Sequence, residues 1–455
     1  MSYSTNMSSQ YPSLSIETLG PVTVASPLQL DTTPGNDLVD FVDDQERILV
    51  DPRLSSVRGY MESGETPPAF ELAGPRQRLF FDHRQVRAAV VTCGGLCPGL
   101  NNVIRALVMH LHRRYQVQSV LGIRYGLEGF ISSFGHNPVE LTPALVESIH
   151  FEGGTMLGSS RGPQDVEAIL EFLVQRRINV LFTVGGDGTF RAATRIARSA
   201  QERGLALAVV GVPKTIDNDI FFVERTFGYE TAVAVAAQAI VAAHVEARGA
   251  PRGIGLVKLM GRHSGFIAAS AALAARVADL VLVPEQDFQL EGPGGVFAAV
   301  ARRLKREGHF VVVVAEGAGQ RLLLPAAGQD ASGNVKLGDI GSFMADALRR
   351  HFATLGEPVN LKYIDPSYII RAAPATADDA IFCGALAEHA VHAALAGKTD
   401  LAVGIWGGTF THVPLGAATS RRKTVDLEGS LWAHVLESTG QAVSLGPAAT
   451  GQTVR

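Results

Sequence analysis

From residue 86 onward, short and wholly apolar runs alternate with Gly-rich turns and amphipathic stretches. Residues 86–92 form a β-rich run that leads into a Gly-rich turn and a helical pattern over 101–114. Residues 180–184 lead into 185–188 and a helix through Arg198, and residues 205–212 lead into 213–219. Residues 253–258 lead into 260–265 and a helix through Ala275, and residues 310–315 lead into 316–319. An apolar strand, a Gly turn and a helix, repeated, predict parallel α/β sheets with both faces covered. In such sheets ligands bind beyond the carboxyl ends of the strands. The Gly-rich turns all fall there, so they mark the candidate site together. Upstream the pattern changes. Residues 1–40 are rich in Ser, Thr and Pro without a period and read as a loosely docked tail. Residues 41–85 read as an extension packed on the main body.

Composition narrows the picture. The chain has 455 residues, 46% hydrophobic and 18% charged, which fits a globular enzyme of two or three domains. A net charge of −4 offers no basic field for nucleic acid or an acidic membrane, so an anionic substrate must be met by local Arg and Lys. Three cysteines, Cys93, Cys97 and Cys383, give no disulfide framework and are read as core thiols of a reducing compartment. The first 20 residues are too polar for a signal peptide. The most apolar stretches, 231–247 and 264–284, are interrupted by Gln238, His244, Glu246, Arg276 and Asp279, which argues against a membrane span.

Several turns carry candidate chemistry. The turn at 94–101 begins Gly94-Gly95 and opens a helix, so its backbone N–H groups can approach a phosphate. It lacks the Gly-Lys-Ser/Thr ending of a Walker loop. Read alone, it serves equally well for tight strand–helix packing. In Gly185-Gly186-Asp187-Gly188-Thr189 a carboxylate stands among glycines at a strand end, suited to a Mg²⁺ ion ligated mostly by water and phosphate oxygens. The alternative is a helix-capping Asp. Pro213-Lys214-Thr215-Ile216-Asp217-Asn218-Asp219 places Asp217 and Asp219 on one side of an extended segment, as a general base with a companion or as an Asx-rich turn. Met260-Gly261-Arg262-His263 offers Arg262 as a bidentate phosphate grip or as an ordinary solvated Arg. Glu316 follows an apolar strand and can accept hydrogen bonds from sugar hydroxyls. Arg161 and Gly162 lie in another Gly/Ser loop, and Tyr368-Ile369-Ile370-Arg371 supplies a further aromatic and Arg.

These motifs, in this order over residues 74–400, resemble the 6-phosphofructokinases, and most closely their plant-type ATP-dependent branch. The resemblance extends to segments outside the motifs, at 73–77, 244–247, 290–295 and 360–371. It implies a phosphofructokinase fold of two Rossmann-like α/β domains with the active site in the cleft between them. It implies Asp217 as general base and Asp187 as the Mg²⁺ ligand. Gly94, Arg161, Gly162, Gly186, Asp187, Gly188 and Thr189 would hold ATP. Thr215, Ile216, Asp217, Met260, Gly261, Arg262, Glu316, Tyr368, Ile369, Ile370 and Arg371 would hold fructose 6-phosphate. Lys362 stands where many relatives have a phosphate-binding Arg, often lent by a neighbouring subunit, and Arg225 or Arg252 are alternatives for that role. A cytoplasmic homo-oligomer, dimer or tetramer, is implied, with no nucleic-acid or membrane partner.

Pyrophosphate-using relatives carry Asp in place of Gly188, filling and charging the space that the α-phosphate of ATP needs. Gly188 therefore argues for ATP, while Lys214 matches the pyrophosphate users. A pyrophosphate-dependent transferase is the first alternative. A kinase of NAD or lipid has no need of the 213–219 turn or of Met260-Gly261-Arg262. A non-catalytic sensor has no need of both Asp187 and Asp217. The expected domains are an extension over 1–85, partly disordered; an ATP-binding domain over 86–228 plus 372–430; and a sugar-phosphate-binding domain over 229–371 plus 431–455.

Overall fold

The apolar runs of the sequence become fully buried strands in a computed structural model that describes residues 11–33, 39–324, 328 and 335–446. The chain divides into two compact units. The first takes in the chain up to Ile216 together with Ile220–Gly228 and Ala372–Arg422; the second comprises Asp217–Asp219, Tyr229–Arg371 and the chain from Lys423. Asp217–Asp219 thus group with the second unit, and the last return falls at Lys423 rather than at 431. Residues 1–10 and 34–38 of the expected tail lie outside the described residues.

The first unit is built on a nine-stranded sheet. Its centre is parallel, in the order Leu401–Trp406, Ala208–Pro213, Val180–Gly185, Arg87–Thr92 and Ser119–Ile123. Successive side chains along these strands enter opposite cores. Val90, Phe182 and Val210 pack with the helices Leu100–Arg113 and Ala377–Leu395. Val91, Leu181 and Val209 pack with Val166–Gln175 and Asp187–Glu202. The upstream segment joins this architecture: Arg47–Leu49 and Ala69–Leu72 extend the sheet antiparallel beyond Thr409–Pro414. Glu17–Thr18 pairs with Lys398–Thr399, and Val24–Ala25 with Arg78–Leu79.

A buried charge cluster fixes that extension. Glu71 accepts from Lys398 Nζ at 2.6 Å, His412 Nδ1 at 2.8 Å and Arg76 at 3.2 Å. Asp44 completes the cluster, 2.7 Å from Arg76 and 2.9 Å from Lys398. Burial opposes the charge on Glu71, but His412 and Lys398 prevail and hold its carboxyl down to about 2.

The second unit carries a four-stranded, all-parallel sheet ordered Leu280–Leu282, His309–Ala315, Gly253–Leu259 and Asn360–Ile364. The helix Tyr229–Arg248 packs along three of these strands, and Ile340–Thr354 packs against Gly253–Leu259 and Asn360–Ile364. In both units the turns singled out in the sequence leave the carboxyl ends of parallel strands, where strand-end amides and helix N-termini converge.

Candidate active site

In the first unit the strand Arg87–Thr92 ends in a Gly turn held from beneath. The Gly94 N–H donates to the Ser160 carbonyl at 3.0 Å, and Ser159 Oγ donates to the Gly94 carbonyl at 2.7 Å. Gly94 has φ +87°, in the left-handed region that favours glycine. Two cations flank the turn. Lys214, buried at the end of Ala208–Pro213, donates to the Gly95 carbonyl at 3.0 Å. Arg161 approaches so closely that a Cβ on Gly95 would sit 3.2 Å from its Nη2. Gly162, next to it, also has positive φ, +98°.

The adjacent strand Val180–Gly185 runs through Gly186 straight into the helix Asp187–Glu202. Gly185 has no room for a side chain, because a Cβ would collide with Thr189 Oγ1 at 2.2 Å, whereas a Cβ on Gly188 would meet nothing within 4 Å. Open space therefore lies at Gly188, while its neighbour is packed shut. Asp187 is the first helical residue rather than the cap, and Arg191 one turn on holds its carboxylate at 3.1 and 3.2 Å. Arg191 in turn donates to the Thr419 carbonyl at 2.9 Å. The positive end of the helix favours the negative charge of the Asp187 carboxylate, and a carboxylate beside open space can join a hard cation that is otherwise ligated by water. Among the described residues there is no group of three or more His, Cys, Asp or Glu arranged to hold a metal, so a cation here would rely on water and ligand oxygens. Cys93, Cys97 and Cys383 are free and buried, and burial pushes the Cys93 thiol up to about 12. Thr215 and Ile216 are half-buried, and the Thr215 carbonyl accepts from Thr226 Oγ1 at 2.6 Å.

In the second unit the acids gather. Asp217 is half-buried; its carboxylate accepts from the Arg262 N–H at 3.5 Å, and its carbonyl accepts from Ser264 Oγ at 3.0 Å. Burial, then the charges of Asp219 and Glu316, push the Asp217 carboxyl up to about 7. Burial likewise raises Glu316, against the pull of Arg371, Lys258 and Arg262. Met260 is buried at the end of Gly253–Leu259, and Arg371 Nε lies 3.2 Å from its sulfur. Gly261, at φ +128°, lets the chain turn where a Cβ would strike the Ser264 carbonyl at 2.5 Å. The Arg262 guanidinium donates to the Val335 carbonyl.

The last expected quartet splits. Arg371 lies beside Met260, Ile370 is fully buried, and Tyr368 and Ile369 are 81% and 69% exposed. The short helix Ser367–Ala372 directs its alternate faces to core and solvent, so adjacent positions cannot share one site. Lys362 is exposed; Arg252 pairs with Glu357 at 2.9 Å; Arg225 lies over the Phe382 ring at 4.2 Å. Two neighbours of the site went unremarked in the sequence. Arg191 stands four residues after Asp187, the spacing of a helical ion pair. Lys258 is a single charge inside an otherwise apolar strand, and that break in pattern was the available signal.

The Phosphofructokinase family matches residues 87–394. The ATP-dependent 6-phosphofructokinase of Amycolatopsis methanolica is 48% identical over 421 residues, covering 91% of this chain and 92% of its own. ATP-dependent 6-phosphofructokinase 7 of Arabidopsis thaliana is 46% identical over 386 residues, covering 84% and 79%. Among solved structures, the pyrophosphate-dependent phosphofructokinase of Marinobacter aquaeolei aligns with a TM-score of 0.66 at 20% identity, over 80% of this chain and 94% of that one. Phosphofructokinase of Pichia pastoris in the T-state aligns at 0.62 and 20% identity, over 88% and 39%. At that identity the structural likenesses establish the fold alone.

Proposed function

The chain belongs to the phosphofructokinase family, and we propose that Asp217 is its general base and Asp187 its Mg²⁺ ligand. The reaction is that of an ATP-dependent 6-phosphofructokinase: the 1-hydroxyl of fructose 6-phosphate attacks the terminal phosphorus of ATP, the bond to the bridging oxygen breaks, and ADP leaves. Such transfer depends on positioning and charge neutralisation more than on covalent chemistry. Mg²⁺ supplies neutralisation of the phosphate oxygens when bound, with Asp187 as its protein ligand.

The Gly94 turn, Arg161, Gly162 and the 186–189 turn receive the nucleotide. The open space at Gly188 supports ATP over pyrophosphate, because a side chain there would occupy it. Met260, Gly261, Arg262, Glu316 and Arg371 receive the sugar phosphate, with Thr215 and Ile216 leading into Asp217. Arg262 and Arg371 neutralise the 6-phosphate, and Glu316 orients hydroxyls. Tyr368, Ile369 and Ile370 belong to the short helix that carries Arg371. Asp217 takes the proton of the attacking hydroxyl.

One observation carries the assignment. Asp217 is fixed at the Met260-Gly261-Arg262 turn, its carboxylate accepting from the Arg262 N–H at 3.5 Å and its carbonyl from Ser264 Oγ at 3.0 Å, while burial and the charge of Asp219 raise its carboxyl toward the range in which a base acts. A homo-oligomer is a further reading, resting on Val241 and Val245, which lie one turn apart and exposed on the helix Tyr229–Arg248. Among the described residues no helix is long and apolar enough to cross a membrane.

A coupled assay with fructose 6-phosphate tests the reading, using ATP or pyrophosphate with and without Mg²⁺. ATP with Mg²⁺ supports turnover, and Asp217→Ala lowers kcat by roughly three orders of magnitude or more while fructose 6-phosphate still raises the melting temperature. Turnover with pyrophosphate alone, or a fully active Asp217→Ala, overturns it.

A further inference from the structure

Lys258 is charged, 16% exposed and set in a strand whose other residues are buried. Its Nζ lies 2.8 Å from Asp365 Oδ2 and 3.6 Å from Asp339 Oδ1. Each partner organises a different element. Asp339 caps the helix Ile340–Thr354, accepting from the Ser342 N–H at 3.2 Å. Asp365 follows the strand Asn360–Ile364 and accepts from the Ser367 N–H at 3.1 Å and from the Ser367 hydroxyl. Ser367 begins the short helix whose last turn carries Arg371 to Met260. Lys258 therefore ties the root of the Met260-Gly261-Arg262 turn to the root of the Arg371 helix. Its charge also reaches Glu316, as does that of Arg371.

From this arrangement we propose that Lys258 is a positioning residue for sugar-phosphate binding, acting through Asp365 to hold Arg371 in register with Met260 and Arg262. The proposal rests on the sugar-phosphate assignment above. Lys258 touches no substrate in this account. Its work is to keep two phosphate-binding arginines at a fixed spacing, and a guanidinium displaced by an ångström loses bidentate geometry. A six-residue helix has too little internal hydrogen bonding to keep its own orientation, so an external tether decides where Arg371 points.

The experiment is steady-state kinetics on Lys258→Met, Lys258→Arg and Asp365→Asn, with both substrates varied. Lys258→Met raises KM for fructose 6-phosphate about ten-fold, leaves kcat within about three-fold, and leaves KM for ATP unchanged. Lys258→Arg restores most of the loss, because a guanidinium can reach the same carboxylates. Asp365→Asn shows the same split, and the double variant with Lys258→Met is no worse than the poorer single one, as expected of a shared pathway. A folded Lys258→Met with unaltered KM for fructose 6-phosphate overturns the proposal. So does a loss spread equally over kcat and both KM values, which would mark a merely structural role. Failure of the parent protein to phosphorylate fructose 6-phosphate is a different result, and removes the underlying assignment instead.

Discussion

Asp217 and Asp219 are two carboxylates two residues apart, and if Asp217 is the base proposed above, their mutual repulsion shapes the pH dependence of the reaction. Asp217 is raised to about 7 by burial first and by Asp219 next. A general base acts only when deprotonated, so kcat/KM climbs with pH through that region and then levels. Asp219→Asn removes one negative charge, which favours the ionised form of Asp217. The acid limb of kcat/KM is therefore expected to move to lower pH by roughly one unit. A profile of log kcat/KM between pH 5 and 9 measures it, and an unmoved limb would show that Asp219 does not govern the base. The pair itself was legible in the sequence as two carboxylates after an apolar strand, though spacing alone left a base with a companion and an Asx-rich turn both open. The geometry around it was only partly so. Arg371 could be read as a phosphate ligand, but the separation of Ile370 from Tyr368 and Ile369 depends on a six-residue helix that no periodicity marks. Lys258 stood out as a charge in an apolar strand, but its partners Asp339 and Asp365 could not be read, because a long-range ion pair leaves no trace at fixed spacing.

The segment ahead of residue 86 shows how a charge cluster can fasten one element to another. Glu71 on Ala69–Leu72 holds Lys398, Arg76 and His412, which come from three other parts of the first unit. Glu71→Gln leaves two buried cations with only Asp44, whose side chain is 51% exposed. Breaking a buried pair by removing one partner costs about 3–5 kcal/mol, so the urea midpoint should fall by that amount divided by the slope of the unfolding line. The slope itself should stay constant, and an unchanged midpoint would show the cluster to be neutral. The parallel strands of both sheets were readable because buried β-runs followed by Gly turns have a strong signature. The strands Arg47–Leu49 and Ala69–Leu72 were not, since they are short and mixed in polarity; Ala69–Leu72 pairs with residues more than 300 positions away, and Arg47–Leu49 in turn pairs with it. Only contacts of that range distinguish a docked extension from a loose one.

At the scale of the molecule, proton uptake on unfolding decides how the protein meets acid. His110, His389 and His412 are each held down to about 4, chiefly by burial, and His392 lies well below its usual value for the same reason. They form one neighbourhood in the first unit. His392 Nδ1 meets the Tyr115 hydroxyl at 2.7 Å, with His110 and His389 around it. His389 stacks on Phe410, and His412 faces Glu71. Arg114 lies near His110 and His392, and Arg76 near His389, His392 and His412, adding repulsion to the cost of protonation. In the unfolded chain each titrates near 6.5, so from about pH 6.5 down to about pH 4 the unfolded state binds protons that the folded state refuses. Stability rises with pH wherever the unfolded state holds more protons, so this contribution is present at neutral pH and is lost as pH falls through that window. Raised carboxylates act in the opposite sense over part of the same range. In the first unit these are Glu388 and Asp400, fewer than the four histidines. The net expectation is a first unit that becomes acid-labile near pH 5.5. Urea unfolding at pH 7.5 and 5.5, followed by the fluorescence of Trp406 in the first unit with Trp432 replaced by Phe, should show the midpoint falling in acid. His389→Gln should flatten that fall by up to one proton's worth, about 1.4 kcal/mol per pH unit, because its side chain keeps a polar group but no longer titrates. Equal slopes in the two proteins would remove His389 from the acid response, and a midpoint that rose in acid would show the carboxylates to dominate.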